Sequence, residues 1–205
     1  MTKSYLIAKA EINHETIVNR SRFICYLFPC QSYQALKKRL TELQIEHPSA
    51  NHHCYSFVAG KPDDSQRYGF SDDGEPSGTA GRPMLAVLQG SEVGQVAAIV
   101  VRYFGGVKLG TGGLQRAYGG SVREALTVLT TEVKVETTEK YLVCDYHHVK
   151  DVNHLVDVTA SSIKSQDYQE KVKFVLAIPD DQLKLFEQQL LTLSAGSLLL
   201  TSVDG

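Results

Sequence analysis

Residues 99–126, IVVRYFGGVKLGTGGLQRAYGGSVREAL, constrain this chain more than any other stretch. An apolar run ends at Arg102 and Tyr103. Gly105, Gly106, Gly110, Gly112 and Gly113 follow, and a helical pattern then contains Gly119 and Gly120. The order reads as strand, glycine-rich loop, helix. Such a junction turns backbone N–H groups and the positive end of a helix toward whatever faces it. Glycine permits positive φ and lets a partner approach the main chain closely. Arg102, Lys108, Arg116 and Arg123 add cationic side chains to the same segment. The combination points to phosphate or nucleic acid as the ligand rather than to bond-breaking chemistry, and it designates no catalytic residue.

Charge is distributed unevenly around this segment. Residues 1–134 carry 15 Lys/Arg against 12 Asp/Glu, whereas residues 135–205 carry 6 against 11. Every arginine, from Arg20 to Arg123, lies in the first part. The guanidinium fork suits phosphate, so a polyanion would meet that part. The longest apolar run near the centre, Val96 to Val101, has the length of a strand and is cut off by Arg102, which excludes a membrane span there. The first residues, MTKSYLIAKAEINHE, contain no run suited to export. Cys25, Cys30, Cys54 and Cys144 form no CxxC pair and fit a reduced, cytoplasmic setting.

A chain of 205 residues can bury one sizeable core or two modest ones. Ser21–Phe28 reads as a strand, and a helix opens near Ser32 with Tyr33, Leu36, Leu40 and Leu43 on one face. His47-Pro48 ends it. A strand over Cys54–Ala59 precedes a long polar segment from Gly60 to Pro83. A connection of that length inside a domain is usually functional or mobile. A short helix at Met84–Leu88, a central strand at Val96–Tyr103 and a helix over about 113–130 complete the first part. From Glu136 the pattern becomes β-α-β-β-α-β: strands at Thr138–Tyr146, Ser161–Tyr168, Lys171–Ile178 and Gly196–Val203, with helices at His148–Ala160 and Asp180–Ser194, Asp180 serving as N-cap. That order is ferredoxin-like. The expected class is α+β in two domains, 1–134 and 135–205.

Four motifs, SRFIC (21–25), HHCYSFVAG (52–60), SDDGEPSGTAGRPML (71–85) and VVRYFGGVKLGTGGLQRAYG (100–119), resemble the YigZ/IMPACT family, and the second domain resembles that of its bacterial two-domain members. The resemblance implies a first domain like domain 2 of ribosomal protein S5, a sheet on one layer of helices. It implies a second domain like the C-terminal domain of elongation factor G. It also implies a link to regulation of translation and to nucleic acid, with no firm activity. The family's eukaryotic members act in translational control and carry a different, N-terminal protein-binding domain that this chain is expected to lack, so their partner mechanism is not carried over.

The glycine-rich segment supports two readings. Arg116 and Arg123, seven residues apart on one helical face, flank bare backbone at Gly119 and Gly120, a shape that admits a sugar-phosphate chain. Alternatively, the glycines serve helix–sheet packing and the arginines sit in solvent. GGVKLGTGG lacks the ending of a Walker A loop, yet a small phosphorylated ligand remains possible, with His53, Asp72 or Asp73 assisting. His52, His53 and Cys54, with Asp63, Asp64, Asp72, Asp73 and Glu75, form a second candidate group. Strand alternation puts His52 and Cys54 on one face and His53 on the other, which disfavours a nucleophile–base pair or zinc site. Histidines holding the SDDGEP loop is the favoured reading; Asp72 and Asp73 would bind a hard cation or form a solvated turn. No cofactor is called for. Of Tyr103 and Phe104, at most one is exposed to stack on bases, and Tyr118 belongs to the core.

The expected function is a non-catalytic RNA- or ribosome-associated factor in translational regulation. The alternatives are an enzyme or sensor for a phosphorylated small molecule, and a module docking a protein of translation control. The oligomeric state stays open.

Overall fold

The computed structural model describes residues 4–62, 64 and 66–203. The chain divides into two compact units, Tyr5–Lys134 and the segment from Val135 onward. The first unit contains Tyr5–Ala8 (β1), Ile12–Val18 (β2), Ser21–Pro29 (β3), Tyr33–Glu46 (α1), His52–Val58 (β4), Tyr68–Ser71 (β5) and Gly81–Gln89 (α2). It continues through Val93–Gly94 (β6), Val96–Tyr103 (β7), Gly110–Val128 (α3) and Thr131–Lys134 (β8).

Five strands form an antiparallel sheet in the order β2-β3-β7-β4-β5, and β6-β1-β8 form a smaller one. β7 is central because it has no polar face: Val96 through Val101 are all buried. Both sheet faces are covered, where the resemblance implies a single helical layer. On one side Leu36 and Leu43 of α1 pack against Ile24, Phe57, Ile99 and Val101. On the other, Met84, Leu85 and Leu88 of α2 and Leu114, Tyr118, Val122 and Ala125 of α3 pack against Phe23, Cys25, Cys54, Ala98 and Val100.

Local chemistry sets the helix starts. Ser32 caps α1, its Oγ accepting from Ala35 N at 3.2 Å. Tyr33, expected on the buried face, lies at the margin, 44% exposed with its ring tilted against Phe57. α2 takes its cap from the loop that precedes it: the Asp72 carboxylate accepts from the N–H groups of Gly78, Ala80 and Gly81 at 2.8–3.0 Å. A Cβ at Gly81 would meet the Ser71 backbone at 2.7–2.9 Å, so only glycine lets the two segments approach this closely.

The second unit contains Thr137–Cys144 (β9), Val149–Val158 (α4), Ser162–Tyr168 (β10), Val172–Pro179 (β11), Leu183–Leu193 (α5) and Thr201–Ser202 (β12). Its antiparallel sheet has the order β10-β11-β9-β12, the ferredoxin-like arrangement. Val152 and Leu155 of α4 and Phe186 and Leu190 of α5 bury one sheet face with Leu142, Phe174 and Leu176. Two details differ from expectation. Asp180 does not cap α5, which begins after Gln182; its Oδ1 instead accepts from Thr138 Oγ1 at 2.7 Å. The last strand is only Thr201–Ser202.

No helix among the described residues is long and apolar enough to cross a membrane.

Candidate nucleic-acid interface

The structure separates the glycine-rich segment into two surfaces. The first is an open groove of about 900 Å³ between α2 and α3. Gly119 and Gly120 line it together with Arg116, Arg123 and Gln115 of α3, and Ala86 and Val87 contribute the α2 wall. Arg116 and Arg123 are exposed, and neither makes an ion pair or hydrogen bond with another described residue. At 1.5 Å rise per residue their Cα atoms lie about 10 Å apart along the helix. No carboxylate among the described residues lines the groove.

The two glycines are not there for packing. A Cβ at Gly120 would meet nothing within 4 Å, and one at Gly119 would make only ordinary contacts of 3.6–3.8 Å with Val87 and Pro83. Glycine inside a helix costs roughly 1 kcal/mol relative to alanine. Packing therefore gives Gly120 no return for that cost, and what it provides is part-exposed backbone at the groove, whereas Gly119 is buried beside Val87 and Pro83.

The second surface is a cavity of about 510 Å³ at the start of α3. Sheet register creates its base: Phe23, Arg102 and His52 lie side by side across β3, β7 and β4, on the face that α3 covers. Arg102, expected to meet phosphate from the surface, is 5% exposed and paired with Glu75. Its guanidinium lies between the Phe23 and Phe104 rings, 5.3 and 5.6 Å from their centroids. Glu75 Oε1 also accepts from the Tyr118 hydroxyl at 2.7 Å. The cause is position: Arg102 sits on the central strand beneath α3, where a cation must find a buried partner.

The loop glycines divide by task. A Cβ at Gly105 would lie 2.0–2.4 Å from the Arg20–Ser21 backbone, and Gly105 N donates to Ser21 Oγ at 3.1 Å. Gly105 is thus a close-approach residue within the fold. Gly106 and Gly110 adopt φ of +82° and +68°. Gly113 sits against Leu109 Cβ, and a Cβ at Gly112 would meet only Arg116 Nη1 at 3.6 Å. Lys108 is exposed and lines the second cavity.

The carboxylates of the acidic loop are engaged within the fold. Asp72 caps α2, and the Asp73 carboxylate accepts from His53 N. No three-residue His/Cys/Asp/Glu group suited to a metal occurs among the described residues. His53 faces the α1 side with Val101 and Ile24, opposite the cavity, so it cannot assist a ligand there. Burial lowers its pKa, with Asp73 opposing. His52 remains at the cavity; its Nδ1 donates to the Asp73 carbonyl at 2.8 Å, leaving Nε2 3.8 Å from Glu75 Oε1. Cys54 lies in the core, its thiol 2.9 Å from the Asp72 carbonyl, and burial raises its pKa far out of the nucleophilic range. Asp64 accepts from Gln66 N; Asp63 lies outside the described residues.

Phe104 is 46% exposed, while the Tyr103 hydroxyl bonds His47 Nδ1 at 2.9 Å on the α1 side. The Glu75–Tyr118 contact carries no local sequence signal, because it joins residues 43 apart in the chain.

This geometry defines an α+β protein of two units whose first unit presents a basic helix–helix groove beside a glycine-loop cavity. A family model described as the Impact N-terminal domain matches residues 19–126, and one described as a domain of unknown function, DUF1949, matches residues 142–197. The chain is 46% identical to the IMPACT family member YigZ of Escherichia coli, over 98% of this chain and 99% of that one. It is 34% identical to the IMPACT family member YvyE of Bacillus subtilis, over 96% and 89%. A crystal structure of a hypothetical protein, 45% identical, matches with a TM-score of 0.71 over 99% of this chain and 98% of that one. The chain belongs to the IMPACT family, a family linked to the regulation of translation.

Proposed function

We propose that this protein is a non-catalytic RNA- or ribosome-associated factor in the regulation of translation, and that the α2–α3 groove receives the RNA backbone. One observation carries the reading: two exposed, unpaired guanidiniums flank helix-interior glycines that packing does not require. Guanidinium forks bind phosphate oxygens, and the bare helix backbone lets a sugar-phosphate chain lie close. The Val87 and Ala86 wall gives ribose an apolar surface. A binder of this kind needs cationic side chains and an open shape, which the groove offers, and it needs no reactive group.

The test is fluorescence anisotropy of labelled single-stranded and ribosomal RNA fragments at several salt concentrations, with wild type and an Arg116→Ala/Arg123→Ala variant. Each phosphate contact contributes about −0.7 to the log–log salt slope of single-stranded binding. The variant should bind more weakly, with a slope shallower by about 1.4 if both arginines contact phosphate. Absent binding at low salt, or an unchanged slope in the variant, removes the proposal.

A further inference from the structure

We infer that the cavity at the start of α3 is a separate site for a nucleoside phosphomonoester, with the phosphate at the first turn of α3 and the base against Phe104. The inference does not rest on the α2–α3 groove, which has its own cations. Four features of the cavity point the same way. α3 is a 19-residue helix whose first turn has no side-chain cap and no acidic residue, so its leading N–H groups are available to an anion. Lys108, exposed and without a partner among the described residues, stands one residue before the α3 N-cap, Leu109.

The third feature is Arg102. It lines the cavity although it is 5% exposed, and its Nη2 is weakly served by the protein, reaching Ser21 Oγ only at 3.5 Å. Buried polar groups normally find partners, so an under-served buried guanidinium at a cavity marks a place where a ligand oxygen would complete the network. The fourth is Phe104, half exposed at the same cavity and already stacked near the Arg102 cation. An aromatic ring in that position offers a base-stacking face. Glu75 also lines the cavity, but its charge is held by Arg102 and Tyr118, which leaves Lys108 as the unpaired charge. A volume of about 510 Å³ suits a mononucleotide and is far too small for a folded polymer.

The same chemistry occurs in a free nucleoside monophosphate and in the 5′-phosphorylated end of an RNA. The experiment is a titration of the ¹⁵N-labelled full chain, followed by amide chemical shifts, with UMP, AMP, uridine, inorganic phosphate, and a tetraribonucleotide with either a 5′-phosphate or a 5′-hydroxyl. The expected result is saturable shifts at Gly110, Thr111 and Gly112 with the monophosphates. Uridine and inorganic phosphate should bind at least tenfold more weakly. Lys108→Ala and Phe104→Leu, both at exposed positions, should each weaken UMP binding fivefold or more; Arg116→Ala/Arg123→Ala should not. A 5′-phosphorylated tetranucleotide that outcompetes UMP for these amides identifies the source as an RNA end, and the reverse identifies a free nucleotide. Shifts absent from the α3 start, equal binding of inorganic phosphate, or indifference to Lys108→Ala overturns the assignment.

Discussion

Arg102 and Glu75 form an ion pair 2.5 Å long inside the first unit, with 5% and 8% of the two residues exposed. Seen from the sequence, each is a charged residue in a segment expected to face ligand. In the fold they neutralise one another under α3. Removing one partner of a buried pair leaves an uncompensated charge, at a cost of about 3–5 kcal/mol, whereas replacing both by apolar groups can be nearly neutral. Glu75→Leu and Arg102→Met should therefore each lower stability strongly in urea unfolding. The Glu75→Leu/Arg102→Met double variant should lose much less than their sum. Additive losses would mean that the two side chains do not act as a pair.

Two glycines of the same segment should respond to alanine in opposite ways. Gly105→Ala drives a Cβ into the Arg20–Ser21 backbone, so the variant should be severely destabilised or fail to fold. Gly120→Ala meets open space and gains helix propensity, which should raise stability by up to about 1 kcal/mol. Under the proposed function Gly120→Ala should also weaken RNA binding, because the new methyl group occupies the groove. Thermal unfolding and RNA anisotropy on the same preparation check both signs.

His53 sets a pH dependence. Its pKa is lowered in the folded state by burial, so below its ordinary value, near 6.5, the unfolded chain binds the proton more readily than the folded one. Stability from this residue is full above about pH 6.5 and declines as pH falls below that value, until the folded form also protonates. His53→Gln should flatten the wild-type stability curve between about pH 7 and 5. Unfolding titrations at a series of pH values on both proteins measure the difference, and parallel curves would refute the assignment.

Thiol chemistry should be silent in the folded protein. Cys25, Cys30, Cys54 and Cys144 are all buried, and burial raises the pKa of each. A thiol reagent at pH 8 should react with all four only after denaturation. Rapid labelling of Cys54 under native conditions would show that the cavity side of β4 opens to solvent.

Sequence alone was enough where periodicity is strong and local. The apolar run Val96–Tyr103 marks β7 to the residue, Ser32 marks the start of α1, and the β-α-β-β-α-β order of the second unit follows from alternating periods. The groove was legible too, because the seven-residue spacing of Arg116 and Arg123 puts them on one helical face. Short or half-exposed strands were not: β1, β5, β6 and β8 are only two to four residues long and β2 is half exposed, and they exist through pairing with neighbours. Gly110, Gly112 and Gly113 hid the first turn of α3, since glycine lowers intrinsic helix propensity even where tertiary packing holds the helix.

What the amino-acid sequence determined by itself was the order of elements, the α+β class and which helix face carries free cations. Only the tertiary structure decided which charges are spent inside the fold. Asp72 reaches the N–H groups of α2, Asp73 reaches His53, and Glu75 reaches Arg102 and Tyr118. The reason is physical: Arg102 is drawn out of solvent by the burial of its strand and must find its partner Glu75 through space, and local residue patterns hold no record of which segments a sheet brings together.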